Sequence, residues 1–377
     1  MPESLQGRPT LCWIDHDALR WNLRQIREKI GAGIRILAMV KANAYGHGAG
    51  AVSQTLADAG SDAFGVATLE EGVELREAGI RAPVLVLAGA YADQLDEFFG
   101  HSLTPVVHDL SRLRDLEQAV KQRGSTLNVH LKIDTGMGRL GLVATEFDAW
   151  IGEVEKLTAV KIEGVFSHFS HAESVAGDYT RQQLEIFNHV VARLRAGNIR
   201  PPLVHLANSA ATITLPAAYF DMIRPGIMLY GVYPSPAMAS FITLKPALTW
   251  KSKILQLKKV PAGTSISYGQ TFIAKRESLI ATLPVGYADG YPRALSNCGE
   301  VLVSGQTAQV AGRVCMDLTM IDVTDIRNVK QGDEVVLLGR QGDAEISADQ
   351  IAAWANTISY EILTSISARV PRIHYNS

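Results

Sequence analysis

Along the first two-thirds of the chain, short apolar runs alternate with stretches whose apolar residues recur every three or four positions. The runs Arg35–Val40, Ala63–Thr68, Pro83–Ala88, Leu103–Val107, Leu127–Asp134, Lys161–Phe169, Leu203–Asn208 and Asp221–Arg224 read as buried strands. Between them, Ala49–Ala59, Leu69–Ala78, Asp109–Lys121, Ala144–Leu157 and Tyr179–Ala196 carry the one-faced periodicity of amphipathic helices. Strands alternating with helices predict a parallel sheet with helices outside. Eight strand–helix units over this length match an α/β barrel of the (β/α)8, TIM-like kind. A doubly wound sheet is the structural alternative; it usually has fewer strands and a Gly-rich first turn, and Gly46-His47-Gly48 is not that fingerprint.

The pattern changes after Tyr233-Pro234-Ser235-Pro236. Strand-like runs then follow one another directly: Leu248–Val260, Thr264–Tyr268, Ser278–Val285, Glu300–Val303, Thr307–Val310, Leu318–Val323 and Glu334–Leu338, with turns at Ser304-Gly305 and Gly332-Asp333. A helix at Ser347–Ile358 and a short terminal one interrupt them. Two domains are predicted, a barrel over residues 1–238 and a mainly β domain over residues 239–377. Residues 1–15, with the strand-like Leu11–Asp15, can pair with either.

Composition narrows the class. Basic and acidic residues nearly balance, 36 against 38, so no nucleic-acid or polyanion partner is expected. Three scattered cysteines, Cys12, Cys298 and Cys315, argue against a disulfide framework, and none of their spacings suits a zinc site. With the histidines also dispersed, no metal is expected. Met1-Pro2-Glu3-Ser4 has no basic region leading into an apolar one, and no run reaches membrane-spanning length. The expectation is a soluble, cytoplasmic protein without membrane association.

Candidate chemistry gathers at the strand ends. In a barrel of this kind the active site lies at the C-terminal ends of the strands. Those ends carry Lys41, Lys132-Ile133-Asp134, His168, Asn208-Ser209 and Arg224. A lysine closing a buried strand loses solvation, its ammonium becomes more acidic, and its amine can attack a carbonyl cofactor. A lone lysine there more often extends its charge into solvent. Ser209, at the start of a helix, and the Arg224-Pro225-Gly226-Ile227 turn offer a hydroxyl and approachable backbone to a phosphate. Together with Lys41 they favour a phosphate-bearing aldehyde cofactor over unrelated turns.

These residues resemble a family. Val40-Lys41-Ala42-Asn43-Ala44-Tyr45-Gly46-His47-Gly48 is similar to the pyridoxal-phosphate attachment site of alanine racemases. The resemblance continues through His130-Leu131-Lys132-Ile133-Asp134-Thr135-Gly136-Met137-Gly138-Arg139, His205-Leu206-Ala207-Asn208-Ser209-Ala210 and Arg224-Pro225-Gly226-Ile227. Ser267-Tyr268-Gly269, Gly286-Tyr287-Ala288-Asp289-Gly290 and Gly312-Arg313-Val314-Cys315-Met316-Asp317 complete it, in family order over nearly the whole chain.

The resemblance implies a homodimer with shared sites that interconverts L- and D-alanine on pyridoxal 5'-phosphate, supplying D-alanine for peptidoglycan. It implies that Lys41 holds the cofactor and acts as one base, with Tyr268 of the partner's β domain as the other. It puts Arg224 against the pyridine nitrogen, with His168 and His205 in the supporting network. Tyr45, Ser209, Gly226, Ile227 and Tyr360 are implied to hold the phosphate. Arg139 and the Met316 backbone are implied to receive the substrate carboxylate. Lys132 is implied to be carbamylated and to orient Arg139, while Tyr287, Arg293, Arg313 and Asp317 line the entrance.

The residue types suit the task. Moving a proton between opposite faces of a carbon calls for two groups on opposite sides. An arginine cannot accept a proton, so it keeps a ring nitrogen unprotonated. A carbamate turns Lys132 into an anion that can accept from Arg139, where an ammonium would repel it. An amino-acid decarboxylase on the same fold is disfavoured by Arg224 and Ser267-Tyr268. A non-catalytic pyridoxal-phosphate carrier is disfavoured by the β domain.

Overall fold

A computed structural model describes residues 7–173, 177–197 and 199–377. Its chain divides into two compact units, one of Leu19–Ala44 with Ala49–Lys245, the other of residues up to Ala18, Tyr45–Gly48 and Pro246–Ser377.

The first unit is a closed barrel. Eight parallel strands, Arg35–Met39, Ala63–Val66, Val84–Val86, Thr104–Val107, Leu127–Asp134, Val160–Phe166, Leu203–His205 and Met222–Ile223, pair in chain order, and the last returns to the first through Met222 opposite Arg35. Along them Ile36, Ala38, Phe64, Val84, Val86, Val106, Val129, Leu131, Val165, Val204 and Ile223 are fully buried, alternating with residues such as Leu37, Met39, His130, Phe166 and His205 that point into the barrel. Helices follow the strands where the apolar periodicity placed them, and their starts obey local capping. Thr68 caps Leu69–Glu77 in a reciprocal box with Glu71, and Asp109 accepts from Arg112 N–H at the start of Leu110–Gln122. Several strands end earlier than the apolar runs suggest. The sixth stops at Phe166 and the seventh at His205, so His168 and Asn208 stand in the loops beyond them. A side chain can be apolar or buried without its backbone joining the ladder, and that separates the run from the strand.

The second unit is built on a sheet of ten strands, mostly antiparallel. The single run read at Leu248–Val260 is two strands, Leu248–Lys253 and Gln256–Val260, with different neighbours. The first lies between Glu334–Gln341 and Leu11–Asp15; the second pairs with Ser278–Leu283. Leu11–Asp15 therefore belongs to this sheet, where it also runs parallel to a terminal strand, Arg372–Tyr375, that the sequence pattern did not reveal. Residues 1–6 lie outside the described residues. A separate short hairpin, Ser265–Ile266 with Phe272–Ile273, carries Tyr268 on its turn. Among the described residues no helix is long and apolar enough to cross a membrane.

Candidate active site

Lys41 stands at the C-terminal rim of the barrel, directly beyond the strand Arg35–Met39 and Val40. The chain then turns left-handed, with φ of 52–53° at Ala42, Asn43, Ala44 and Tyr45. Residues other than glycine cost roughly 1–2 kcal/mol each in that region. Side chains brace the turn: Glu71 Oε1 accepts from Ala42 N–H at 2.6 Å, and Asn43 Oδ1 accepts from Ala49 N–H at 2.7 Å. The Lys41 side chain remains open to solvent, yet desolvation by the surrounding rim lowers its ammonium pKa, the Arg139 guanidinium lowers it further, and Glu71 opposes both.

Arg224, one residue past the eighth strand, is buried at the centre of a hydrogen-bond network. Its Nη1 donates to His205 Nδ1 at 2.9 Å. Its Nη2 donates to the carbonyls of Ser167 at 2.7 Å and Leu206 at 3.1 Å and faces His168 Nδ1 at 3.3 Å. The Nε takes part in none of these bonds. Burial pushes the guanidinium down to about 9, so it stays charged at neutral pH. Burial and then Arg224 hold both His168 and His205 well below the usual imidazole range, and both rings are neutral. Since arginine only donates, Nδ1 of His205 must be bare.

Lys132 is 7 % exposed, with its Nζ 5.8 Å from the centre of the Phe166 ring. Desolvation, then Arg139 and Arg224, push it down to about 8, with Asp134 pulling the other way. Asp134 is not paired with it: that carboxylate accepts the N–H groups of Gly136, Met137 and Gly138 at 2.9–3.2 Å and shapes the loop that bears Arg139. The same loop is held from outside the barrel. Tyr179 donates to Gly136 O at 2.6 Å, and Gly136, at φ 126°, has no room for a side chain because a Cβ would meet that hydroxyl at 2.4 Å. Gln183, fully buried, accepts from Ser170 N–H at 3.0 Å and donates to His168 O at 3.2 Å and toward Thr135 Oγ1.

Ser209 opens the short helix Ser209–Thr214, capped by Asn208, and its Oγ accepts from Gly226 N–H at 2.8 Å. The loops after the seventh and eighth strands are thereby stitched together, with Ile227 starting the next turn.

The other predicted residues lie in the β-containing unit. Tyr268 is 72 % exposed on a turn in which Ser267, Gly269 and Gln270 all have positive φ. Ser267 Oγ donates to Arg313 O at 2.6 Å, which ties that turn to the Arg313–Asp317 loop. Tyr287 N–H donates to Cys315 O and Ala288 N–H to Met316 O, both at 3.0 Å. Gly286 is required there, because a Cβ would meet the Cys315 and Met316 carbonyls within 2.4 Å. Asp317 accepts from Arg369 at 2.8 Å, and Arg293 is exposed at the start of a short turn. Tyr45 and Tyr360 lie with ring centres 6.1 Å apart, and burial pushes the Tyr45 phenol up.

Similarity to known proteins covers both units. The alanine racemase N-terminal domain matches residues 14–234 and the alanine racemase C-terminal domain residues 247–374. This chain belongs to the alanine racemase family. It is 48% identical over 369 residues to an alanine racemase of Halothermothrix orenii, covering 98% of this chain and 97% of that one. It is 45% identical over 368 residues to one from Carboxydothermus hydrogenoformans, covering 97% and 100%. The crystal structure of alanine racemase from the D-cycloserine-producing Streptomyces lavendulae superposes with a TM-score of 0.93 at 35% identity, covering 99% of this chain and 98% of that chain.

In this alanine racemase-family barrel, Lys41, Lys132, Arg139, His168 and Arg224 lie close enough to act electrostatically on one another. Sequence reasoning passed over Gln183, Tyr179, His130 and Glu163. Gln183 and Tyr179 sit four apart on one helix, Asp178–Ala196, and a glutamine on its buried face was the available signal.

Proposed function

We propose that this protein interconverts L- and D-alanine by moving the α-proton between two bases, Lys41 and Tyr268, with pyridoxal 5'-phosphate as cofactor. The observation that carries this reading is the shared barrel rim of Lys41, its ammonium pKa lowered, and buried Arg224, in a chain of the alanine racemase family. The donor set fits that cofactor: an amine able to shed its proton, a guanidinium whose Nε lies outside the internal network, and a hydroxyl beside two loop backbones. When bound, the cofactor supplies an electron-withdrawing ring that acidifies the Cα–H of an attached amino acid.

Lys41 Nζ takes or returns the α-proton on one side. The Tyr268 hydroxyl, contributed by a second copy of the chain, serves the opposite side. Such positioned acid–base groups contribute roughly 10²–10⁴-fold each. Arg224 has no proton-accepting lone pair, so it keeps the ring nitrogen facing it unprotonated and limits side reactions. Ser209, Gly226 and Ile227 hold the phosphate, with Tyr45 and Tyr360 assigned to the same group. Arg139 and the Met316 N–H orient the substrate carboxylate. A carbamate on Lys132 fixes Arg139 and removes the repulsion that an ammonium suffers there. Tyr287, Arg293, Arg313 and Asp317 line the approach. The role that follows is provision of D-alanine for peptidoglycan in the cytoplasm.

The test is incubation of the protein and pyridoxal phosphate with L-alanine, followed by chiral separation. Accumulation of D-alanine toward an equal mixture is the expected result. Release of carbon dioxide without a D-enantiomer would sink the proposal.

A further inference from the structure

Arg224 is a fully desolvated cation, and among the described residues no carboxylate forms an ion pair with it. Breaking or omitting the partner of a buried charge normally carries a heavy penalty. The compensation lies further along its network. Arg224 Nη1 donates to His205 Nδ1 at 2.9 Å, and the other nitrogen of that ring, Nε2, lies 2.8 Å from His130 Nδ1. His130 Nε2 in turn faces Glu163 Oε2 at 3.7 Å, an N–H dipole aimed at a carboxylate over more than hydrogen-bond length. With Nδ1 of His205 bare, its proton sits on Nε2 and points to His130. The His130 proton then sits on its own Nε2 and points to Glu163. A guanidinium, two neutral imidazoles with aligned N–H dipoles and a carboxylate thus form one polarised chain.

The backbone is shaped to hold that chain. The ladder between Leu127–Asp134 and Val160–Phe166 shifts register between Val129 and His130, a bulge of the kind that re-aims a side chain. Opposite His130 stands Gly164, where a Cβ would come within 2.3 Å of the imidazole Nδ1, so the ring fits only over a glycine. His205 is stacked on Phe166 with ring centres 4.7 Å apart and planes 9° from parallel. At the far end, Glu163 and His130 border a cavity with Arg35, Asp62, Thr104 and Met222, at the N-terminal ends of the strands.

We propose that Glu163 is the counter-charge of Arg224, coupled to it through His130 and His205, and that Glu163 and His130 are positioning residues for the chemistry at the opposite mouth of the barrel. Loss of the carboxylate leaves the two N–H dipoles without their terminal acceptor charge and weakens their hold on the guanidinium. The proposal rests on the reading above only in assigning Arg224 to the cofactor ring.

Full-length protein labelled with ¹⁵N-histidine, with and without pyridoxal phosphate, provides the test. In the unsubstituted protein both His205 and His130 are expected to carry the proton on Nε2; an Nδ1–H form of either overturns the proposal. Glu163→Gln keeps the shape and an acceptor but removes the charge. It is expected to move the His205 Nε2–H resonance upfield and to lower kcat about tenfold with KM little changed, the effect of one hydrogen bond's net contribution. Glu163→Asp keeps the charge and is expected to restore both. Glu163→Gln matching the unsubstituted protein in resonance and kcat overturns the inference. If the resonance follows the charge while no variant racemises alanine, the proposed function fails and the coupling stands.

Discussion

An ammonium surrounded by three other cations is poorly held, and Lys132 is in that position: desolvation, Arg139, Arg224 and Lys41 all favour its neutral form. Its folded pKa of about 8 lies below the 10.5 of a free lysine, so the unfolded chain binds more protons between those values. Stability therefore rises with pH across that window, and the full penalty is present below it. In carbon-dioxide-free buffer at pH 7, Lys132→Met should raise the unfolding free energy by up to about 3 kcal/mol, an advantage that fades toward pH 10.5 in urea titrations. Bicarbonate should stabilise the unsubstituted protein and leave the variant unchanged, because only a lysine can form the carbamate. A destabilised variant in carbon-dioxide-free buffer would mean that the ammonium has a partner in solution. At this scale the sequence was informative about Lys41, Lys132 and Arg224, which lie at or just beyond strand ends. It was silent about His130, whose inward aim depends on a bulge and on Gly164 across the ladder.

At the scale of elements, one carboxylate braces a helix against a strand. Glu117, on the helix Leu110–Gln122, accepts from Thr158, Ala159 and Val160 N–H at 2.7–3.2 Å, at the entry to the sixth barrel strand. Burial works to raise its pKa, but the Lys121 ammonium and those N–H groups outweigh it and hold the carboxyl at about 2. Glu117→Ala should cost about 2–3 kcal/mol at neutral pH, as for hydrogen bonds to a charged group. Since the folded pKa is depressed, that contribution is complete above the ordinary carboxylate pKa of 4.5 and is lost as pH falls toward 2. The gap between the two proteins in denaturant midpoint should narrow over that range; a gap independent of pH would assign the loss to packing instead. Helices were legible because their apolar period is a local property. The run Leu248–Val260 was misjudged for the opposite reason: its division follows from which strands flank each half.

Two chains are needed for the proposed chemistry, and that can be tested without knowing the dimer's geometry. Lys41→Ala and Tyr268→Phe each remove one base and should separately leave little racemisation, while Tyr268→Phe still binds pyridoxal phosphate. Refolded together as an equal mixture, they should recover roughly a quarter of the unsubstituted activity, because hybrid dimers of a two-fold symmetric assembly hold one complete site. Failure to recover activity, with hybrids demonstrated by native mass spectrometry, would return Tyr268 to the chain that carries its Lys41. Exposure of Tyr268, Tyr287, Met316 and Ile358 on one unit suits an arrangement in which another chain covers apolar groups.

Periodicity, capping residues and long motifs were enough to read a barrel followed by a β unit, and the resemblance pointed to the racemase family. These are local signals, carried by residues near one another in the chain. The tertiary structure alone decided that Leu11–Asp15 joins the β sheet and that Arg224 meets Glu163 through two imidazoles. Each depends on desolvation or on partners from distant strands, and those terms exist only once the sheet has closed.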